Sequence, residues 1–258
     1  MCVDQVVCSL PLDVAVFRPI QYFQLFQITI LLQDINDNAP AFPAPRITLQ
    51  ISESSPPGAG VVLAGARDAD SGGFGVTGYE LVDAPPGFLL EEQEEEVRLV
   101  VASRLDRERQ AQYRMAVVAR DGGNPPRSGT VQITVQVADS NDNHPEFEVA
   151  VYNVSVREDA PPGSEVTRVH ARDRDARLNG QVRYAFSSST RAQHGAVFAI
   201  EEDSGAVSLL AHLDYEHTAH YTLHVTATDR GPDAVAAHAR VLVTVLDVND
   251  HSPAITLN

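Results

Sequence analysis

Three near-copies of one seven-residue string leave this chain of 258 residues little choice of fold. They are Asp34-Ile35-Asn36-Asp37-Asn38-Ala39-Pro40, Asp139-Ser140-Asn141-Asp142-Asn143-His144-Pro145 and Asp247-Val248-Asn249-Asp250-His251-Ser252-Pro253, and they are almost evenly spaced. The spacing is the length of one small domain, so the chain reads as an array. Other acids recur at fixed offsets inside the period. Glu53 and Glu158 each open a Glu-x-x-Pro-Pro-Gly string and are followed, at one shared offset, by paired aspartates, Asp68/Asp70 and Asp173/Asp175. Leu105-Asp106-Arg107-Glu108 and Leu213-Asp214-Tyr215-Glu216 come next. Beyond them stand Asp121 and Asp229, each at the same distance from the Leu-Asp-x-Glu before it and from the knot after it. Only the segment between the paired aspartates and the Leu-Asp-x-Glu changes length, being slightly longer in the second period, and a loop is expected to absorb the difference.

Between these acids the pattern is that of short strands. Ile47, Leu49 and Ile51 alternate with polar neighbours, as do Tyr113, Met115, Val117 and Ala119, and Val131, Ile133, Val135 and Val137. The second period copies the pattern at Tyr152, Val154 and Val156, at Tyr221, Leu223, Val225 and Ala227, and at Val241, Val243 and Val245. Helical signals are nearly absent, and period-2 strands of this length predict an antiparallel two-sheet sandwich of about seven strands per period. Residues 9–33 predict a hairpin, with strands near 8–16 and 23–33 and a turn at Arg18-Pro19. The acidic run Glu91-Glu92-Gln93-Glu94-Glu95-Glu96 falls at a hairpin turn and reads as a solvated loop.

The knots are dense in hard oxygen donors, carboxylates and side-chain amides together, and that donor set suits calcium, which takes six to eight oxygens. The formal net charge of −16 supports this reading when the acids are located: about half of the 35 fall at motif positions and are candidate ligands. Nucleic acid is not an expected partner, because no basic cluster offsets that charge. The paired aspartates open like an EF-hand loop, but position 12 is Tyr79 or Tyr184 within a strand pattern, where a bidentate glutamate and flanking helices are required. Paired carboxylates also raise a glycoside hydrolase as a remote alternative, disfavoured because so many acids converge with amides. No small-molecule substrate is expected. No apolar run is long enough to span a membrane.

The Glu, Asp-x-Asp, Leu-Asp-Arg-Glu, Asp-x-Gly and Asp-x-Asn-Asp-Asn-x-Pro positions, at these offsets, resemble those of the cadherin family, and of protocadherins within it. The resemblance implies an all-β chain of tandem immunoglobulin-like Greek-key sandwiches joined by calcium-binding linkers. Residues 1–40 would be the C-terminal part of a truncated first repeat, 41–145 and 146–253 whole repeats, and 254–258 the start of the next. Carried over position by position, it implies calcium ligands at Asp34, Asn36, Asp37, Asn38, Asp68, Asp70, Phe74 and Asp121 for the first knot. For the second it implies Glu53, Asp106, Glu108, Asp139, Ser140, Asn141, Asp142, Asn143, Asp173, Asp175, Asn179 and Asp229. For the third it implies Glu158, Asp214, Glu216, Asp247, Val248, Asn249 and Asp250. Phe74 and Asn179 occupy matching positions that supply main-chain oxygen in the family, so the change of side chain is expected to matter little.

On the same resemblance, Cys2 and Cys8 match a small disulfide loop of the first protocadherin repeat, the alternative being two reduced thiols. Asn153-Val154-Ser155 is a glycosylation sequon whose asparagine points outward by alternation. The implied function is calcium-dependent cell adhesion by part of a single-pass plasma-membrane protein. Its expected partner is another cadherin ectodomain, the same protein on an apposed cell, through antiparallel repeat contacts. A heterophilic mechanical or signalling tether is the alternative.

Overall fold

The computed structural model describes residues 7–18, 22–93 and 96–250. The chain divides into two compact units, Met1–Ala138 and Asp139–Asn258.

The first unit opens with an antiparallel hairpin, β1 (Val7–Arg18) and β2 (Tyr22–Gln33), in continuous register from Val7 opposite Gln33 to Arg18 opposite Tyr22. This is the hairpin expected from the sequence; Pro19 of the turn lies outside the described residues. Its apolar side chains are uncovered, with Leu12, Leu25 and Leu32 each about half exposed. Cys8 is buried. Cys2 lies outside the described residues, and with it the expected Cys2–Cys8 bridge.

Seven strands then build a two-sheet sandwich: β3 (Arg46–Ser52), β4 (Gly60–Leu63), β5 (Val76–Val82), β6 (Phe88–Gln93), β7 (Glu96–Val101), β8 (Gln112–Asp121) and β9 (Ser128–Ala138). One sheet has the order β3-β9-β8-β5 and the other β4-β7-β6. The inward set matches the alternation: Leu99, Val117, Val131 and Val135 are fully buried and Met115 and Ile133 nearly so. Each such side chain contributes about 1.5–3 kcal/mol by leaving water. One pairing departs from the antiparallel expectation, since β3 runs parallel to β9. Strand periodicity says which face is buried but not which strand lies alongside. The consequence is functional: because first and last strands point the same way, the chain enters the sandwich at one pole and leaves at the other. The acidic run is also less loop-like than expected. Glu91 and Glu92 lie in β6 and Glu96 in β7, all exposed, with Glu91 opposite Arg98.

The second unit repeats the plan with β10 (Glu146–Phe147), β11 (Val151–Arg157), β12 (Glu165–Arg168), β13 (Ala171–Arg172), β14 (Arg183–Phe186), β15 (Phe198–Ile200), β16 (Ala206–Leu209), β17 (His220–Thr228) and β18 (Ala237–Leu246). Its sheets are β11-β18-β17-β14 and β12-β16-β15, with β10 pairing β13, and β11 again runs parallel to β18. Leu223, Val225, Val241 and Val207 fill its core. Asn153 and Ser155 of the sequon are exposed on β11, facing away from that core.

The expected place of length drift holds a helix, not an irregular loop. Helix α1 (Ser188–His194) follows β14, at the place where residues 83–87 connect β5 to β6 in the first unit. It is capped by the Ser187 hydroxyl, which accepts from the Thr190 amide at 3.2 Å, and is pinned by Thr190, whose buried hydroxyl accepts from the His224 amide at 2.9 Å.

Candidate metal centres

Each sandwich closes its entry pole with the same three elements: the Asp-x-Asn-Asp knot, the paired aspartates, and the aspartate at the end of β8 or β17. In the first unit, Asp34 accepts from the Ser71 amide at 2.6 Å and the Ser71 hydroxyl at 2.8 Å, and these two donors hold its carboxyl below the usual range. The Asn38 amide and side chain donate to the two oxygens of Asp70 at 2.9 and 2.5 Å. Asp68 accepts from the Asp70 amide at 3.0 Å. Asp121, almost fully buried, accepts through Oδ1 from the amides of Gly123 at 3.0 Å and Arg127 at 2.8 Å.

The second unit reproduces the arrangement one period further along the chain. Asp139 accepts from the Ala176 amide at 3.1 Å and from Asn179 Nδ2 at 3.0 Å. The Asn143 amide and side chain donate to the two oxygens of Asp175 at 3.2 and 2.6 Å, and Asp173 accepts from the Asp175 amide at 3.0 Å. Asp229 accepts from the Gly231 amide at 2.8 Å and from Asn141 Nδ2 at 3.3 Å.

These bonds use one oxygen of several key groups and leave the other bare. Among the described residues, six buried side-chain polar atoms have no hydrogen-bond partner: Asn36 Oδ1, Asp68 Oδ2 and Asp121 Oδ2, and their counterparts Asn141 Oδ1, Asp173 Oδ2 and Asp229 Oδ2. An unsatisfied buried polar atom costs about 1–3 kcal/mol, and a native fold does not repeat that cost at matching positions without a ligand. All six are acceptors, all are oxygen, and no sulfur or imidazole accompanies them. The group they fit is a hard cation, and calcium meets the donor chemistry. Electrostatics agree in the second unit, where burial, with the charges of Asp175 and Asp229, pushes the Asp173 carboxyl up. In the first unit burial also pushes Asp121 up, but the Arg127 and Gly123 amides, the Asn36 side chain and the Arg127 charge outweigh it and bring the carboxyl down.

The exit poles gather a different set. Carboxylate oxygens of Glu53, Asp106 and Glu108 lie within 4.8 Å of one another, as do those of Glu158, Glu216 and Asp250. Buried Glu53 is aimed by the Arg107 amide at 2.8 Å, and Glu158 by the amides of Tyr215 at 2.8 Å and Val248 at 2.6 Å. Asp106 and Asp214 instead accept from the Arg109 and His217 amides, which fixes them at the start of their turns. Arg107 pairs with Glu108.

The matching positions Phe74 and Asn179 are not equivalent. Asn179 braces Asp139 with its side chain, which Phe74 cannot do for Asp34; there the Ser71 hydroxyl takes over, at the position that Ala176 holds in the second unit. The exchange was hidden in the sequence because each partner lies far along the chain from the aspartate it holds. Gly123 and Gly231 were likewise not singled out. A Cβ on Gly231 would lie 2.5 Å from Asn179 Oδ1 and 2.8 Å from Asn141 Cγ, and one on Gly123 would lie 1.8 Å from Asn36 Nδ2, so both backbones press directly against the side-chain amide of a candidate ligand.

Comparison with known proteins gives one consistent result. The model of the cadherin domain matches residues 47–138 and 152–246. The chain is 37% identical over 262 residues to human protocadherin gamma-B7 and 38% identical over 282 residues to human protocadherin-10, in each case over 100% of this chain and 27% of the relative. It thus spans about a quarter of the length of these curated relatives. Among solved structures it is similar to mouse clustered PcdhgC3 EC1-3, with a TM-score of 0.88 and 37% identity over 95% of this chain and 79% of that one. It is also similar to protocadherin gamma B2 extracellular cadherin domains 1–5, with a TM-score of 0.87 and 37% identity over 96% and 47%.

Proposed function

The chain belongs to the cadherin family, and from that premise we propose that it is a calcium-loaded segment of a cell-surface adhesion ectodomain that pairs with another cadherin ectodomain. The relatives are protocadherins, adhesion proteins and not enzymes, and the solved neighbours are extracellular repeats. The observation that carries the calcium part is the recurrence of three bare, buried oxygens at matching positions of both repeats. The ligand assignment drawn from the resemblance, at all three knots, is part of this reading.

Bound calcium supplies concentrated positive charge and coordination to carboxylate, amide and carbonyl oxygens. The chain's own residues do the rest. Backbone amides of Asp70, Gly123, Asp175 and Gly231 each occupy one oxygen of an aspartate and so aim the other inward. Asn38 and Asn143 neutralise no charge but fix Asp70 and Asp175 by two bonds each. The parent protein is proposed to be anchored in the plasma membrane by a single span; among the described residues no helix is long and apolar enough to cross a membrane.

The partner is proposed to be the same protein on an apposed cell, through antiparallel contacts between repeats. Sedimentation over a range of concentrations tests this. A weight-average mass that rises with concentration in calcium and stays monomeric in chelator is the expected result. Monomer under both conditions would overturn self-pairing in favour of a tether to a different molecule, and a dimer indifferent to calcium would point to the uncovered hairpin β1–β2.

A further inference from the structure

The first entry pole contains a residue that the second lacks. Asp121 and the knot Asp34–Asn38 belong to distant parts of the chain, and in the first repeat Arg127 touches both. Its main-chain amide donates to Asp121 Oδ1 at 2.8 Å, and its guanidinium Nη1 donates to the Asp37 carbonyl at 2.5 Å. Its charge also acts on the Asp121 carboxylate. One residue thus clamps the loop after β8 to the knot and places a fixed positive charge beside the candidate cation site.

The matching loop of the second repeat holds no arginine at that place. From Asp229 to β18 it reads Asp229-Arg230-Gly231-Pro232-Asp233-Ala234-Val235-Ala236, with no basic residue in the half that precedes the strand. Arg230 pairs with Glu202 and Asp203. Asn141 ties the second knot to its loop, through Pro232 O at 2.6 Å and Asp229 Oδ1 at 3.3 Å. Asn36 makes a longer contact at the corresponding place, 3.4 Å to Pro125 O, and its side chain also bonds Asp121, so in the first repeat the arginine adds a second tie to that of the amide.

We propose that Arg127 is a resident cationic clamp that keeps the entry pole of the first repeat assembled when calcium is scarce, so that the two poles loosen at different calcium levels. A hydrogen bond from a charged donor stabilises more than a neutral one, and an exposed guanidinium on a carbonyl keeps part of that advantage. The proposal concerns the order of the pole and goes beyond the calcium reading, on which it does not depend for its first readout.

Hydrogen exchange of four amides provides the test: Asn38 and Ser71, which report the first pole through Asp70 and Asp34, and Asn143 and Ala176, which report the second. In chelator the first pair is expected to exchange about five- to tenfold more slowly than the second. Arg127→Ala should erase that difference while amides in the middle of β8 and β9 keep wild-type protection; Arg127→Lys should restore part of it. Equal exchange of the two pairs in the wild-type chain, or an unchanged difference in Arg127→Ala, would overturn the clamp. The calcium reading fails separately, if adding calcium slows none of the four.

Discussion

Raising free calcium from chelator levels to about 2 mM should raise the melting temperature of each repeat by about 10 °C. At a dissociation constant of about 10⁻⁴ M, within the range of extracellular calcium modules, one ion bound only to the folded form adds about 1.8 kcal/mol at that concentration. Asp173→Asn separates this from a general salt effect. Burial and the charges of Asp175 and Asp229 raise the Asp173 carboxyl above its ordinary 3.8, so its ionised form burdens the folded state. Its contribution to stability is greatest below the unfolded value and is lost as pH rises from 3.8 through the folded one. At neutral pH without calcium the variant should therefore melt at or above the wild type, and in calcium the second repeat should respond less than in the wild type, the remainder coming from the exit-pole acids Glu158, Glu216 and Asp250. An undiminished response would mean that Asp173 Oδ2 is not a ligand atom.

The second large effect is expected at two glycines. Asn141 is held by Pro232 O and Asp229, and a Cβ on Gly231 would approach its Cγ to 2.8 Å and its Nδ2 to 2.9 Å. Gly231→Ala must displace that amide, and with it Oδ1, the bare oxygen of the set. Displacing a group that orients metal ligands costs about 10- to 100-fold in affinity. Calorimetric titration should show that loss at one site, with the calcium-free melt little changed because the core is untouched. Gly123→Ala should act in the same way on Asn36, where the Cβ would lie 1.8 Å from Nδ2 and 2.6 Å from Cγ. Wild-type affinity in either variant would show that the asparagine side chain is not engaged.

What the sequence revealed and what it hid follow from the range of the forces involved. Candidate ligand positions were legible because a cation cage needs particular atoms at particular turns, and Asp68, Asp121 and Asn141 recur at matching offsets as Asp173, Asp229 and Asn249. The core was legible because alternation of Val131, Ile133, Val135 and Val137 decides a face locally. The parallel pairing of Arg46–Ser52 with the strand ending at Ala138 was not, since partners across a sheet leave no mark on either strand's own pattern. Helix Ser188–His194 escaped because seven residues carry too few apolar positions to show a 3.6-residue period. The replacement of the Asn179 amide by the Ser71 hydroxyl, and the reach of Arg127 to the Asp37 carbonyl, depend on distances that only the folded chain supplies.

Anomalous scattering from crystals grown in calcium shows directly whether the six bare oxygens are calcium ligands. The expected result is a calcium peak about 2.3–2.6 Å from Asn36 Oδ1, Asp68 Oδ2 and Asp121 Oδ2, and another at the same distances from Asn141 Oδ1, Asp173 Oδ2 and Asp229 Oδ2. Calcium bound elsewhere on the chain, with ordered water at those oxygens, would contradict it.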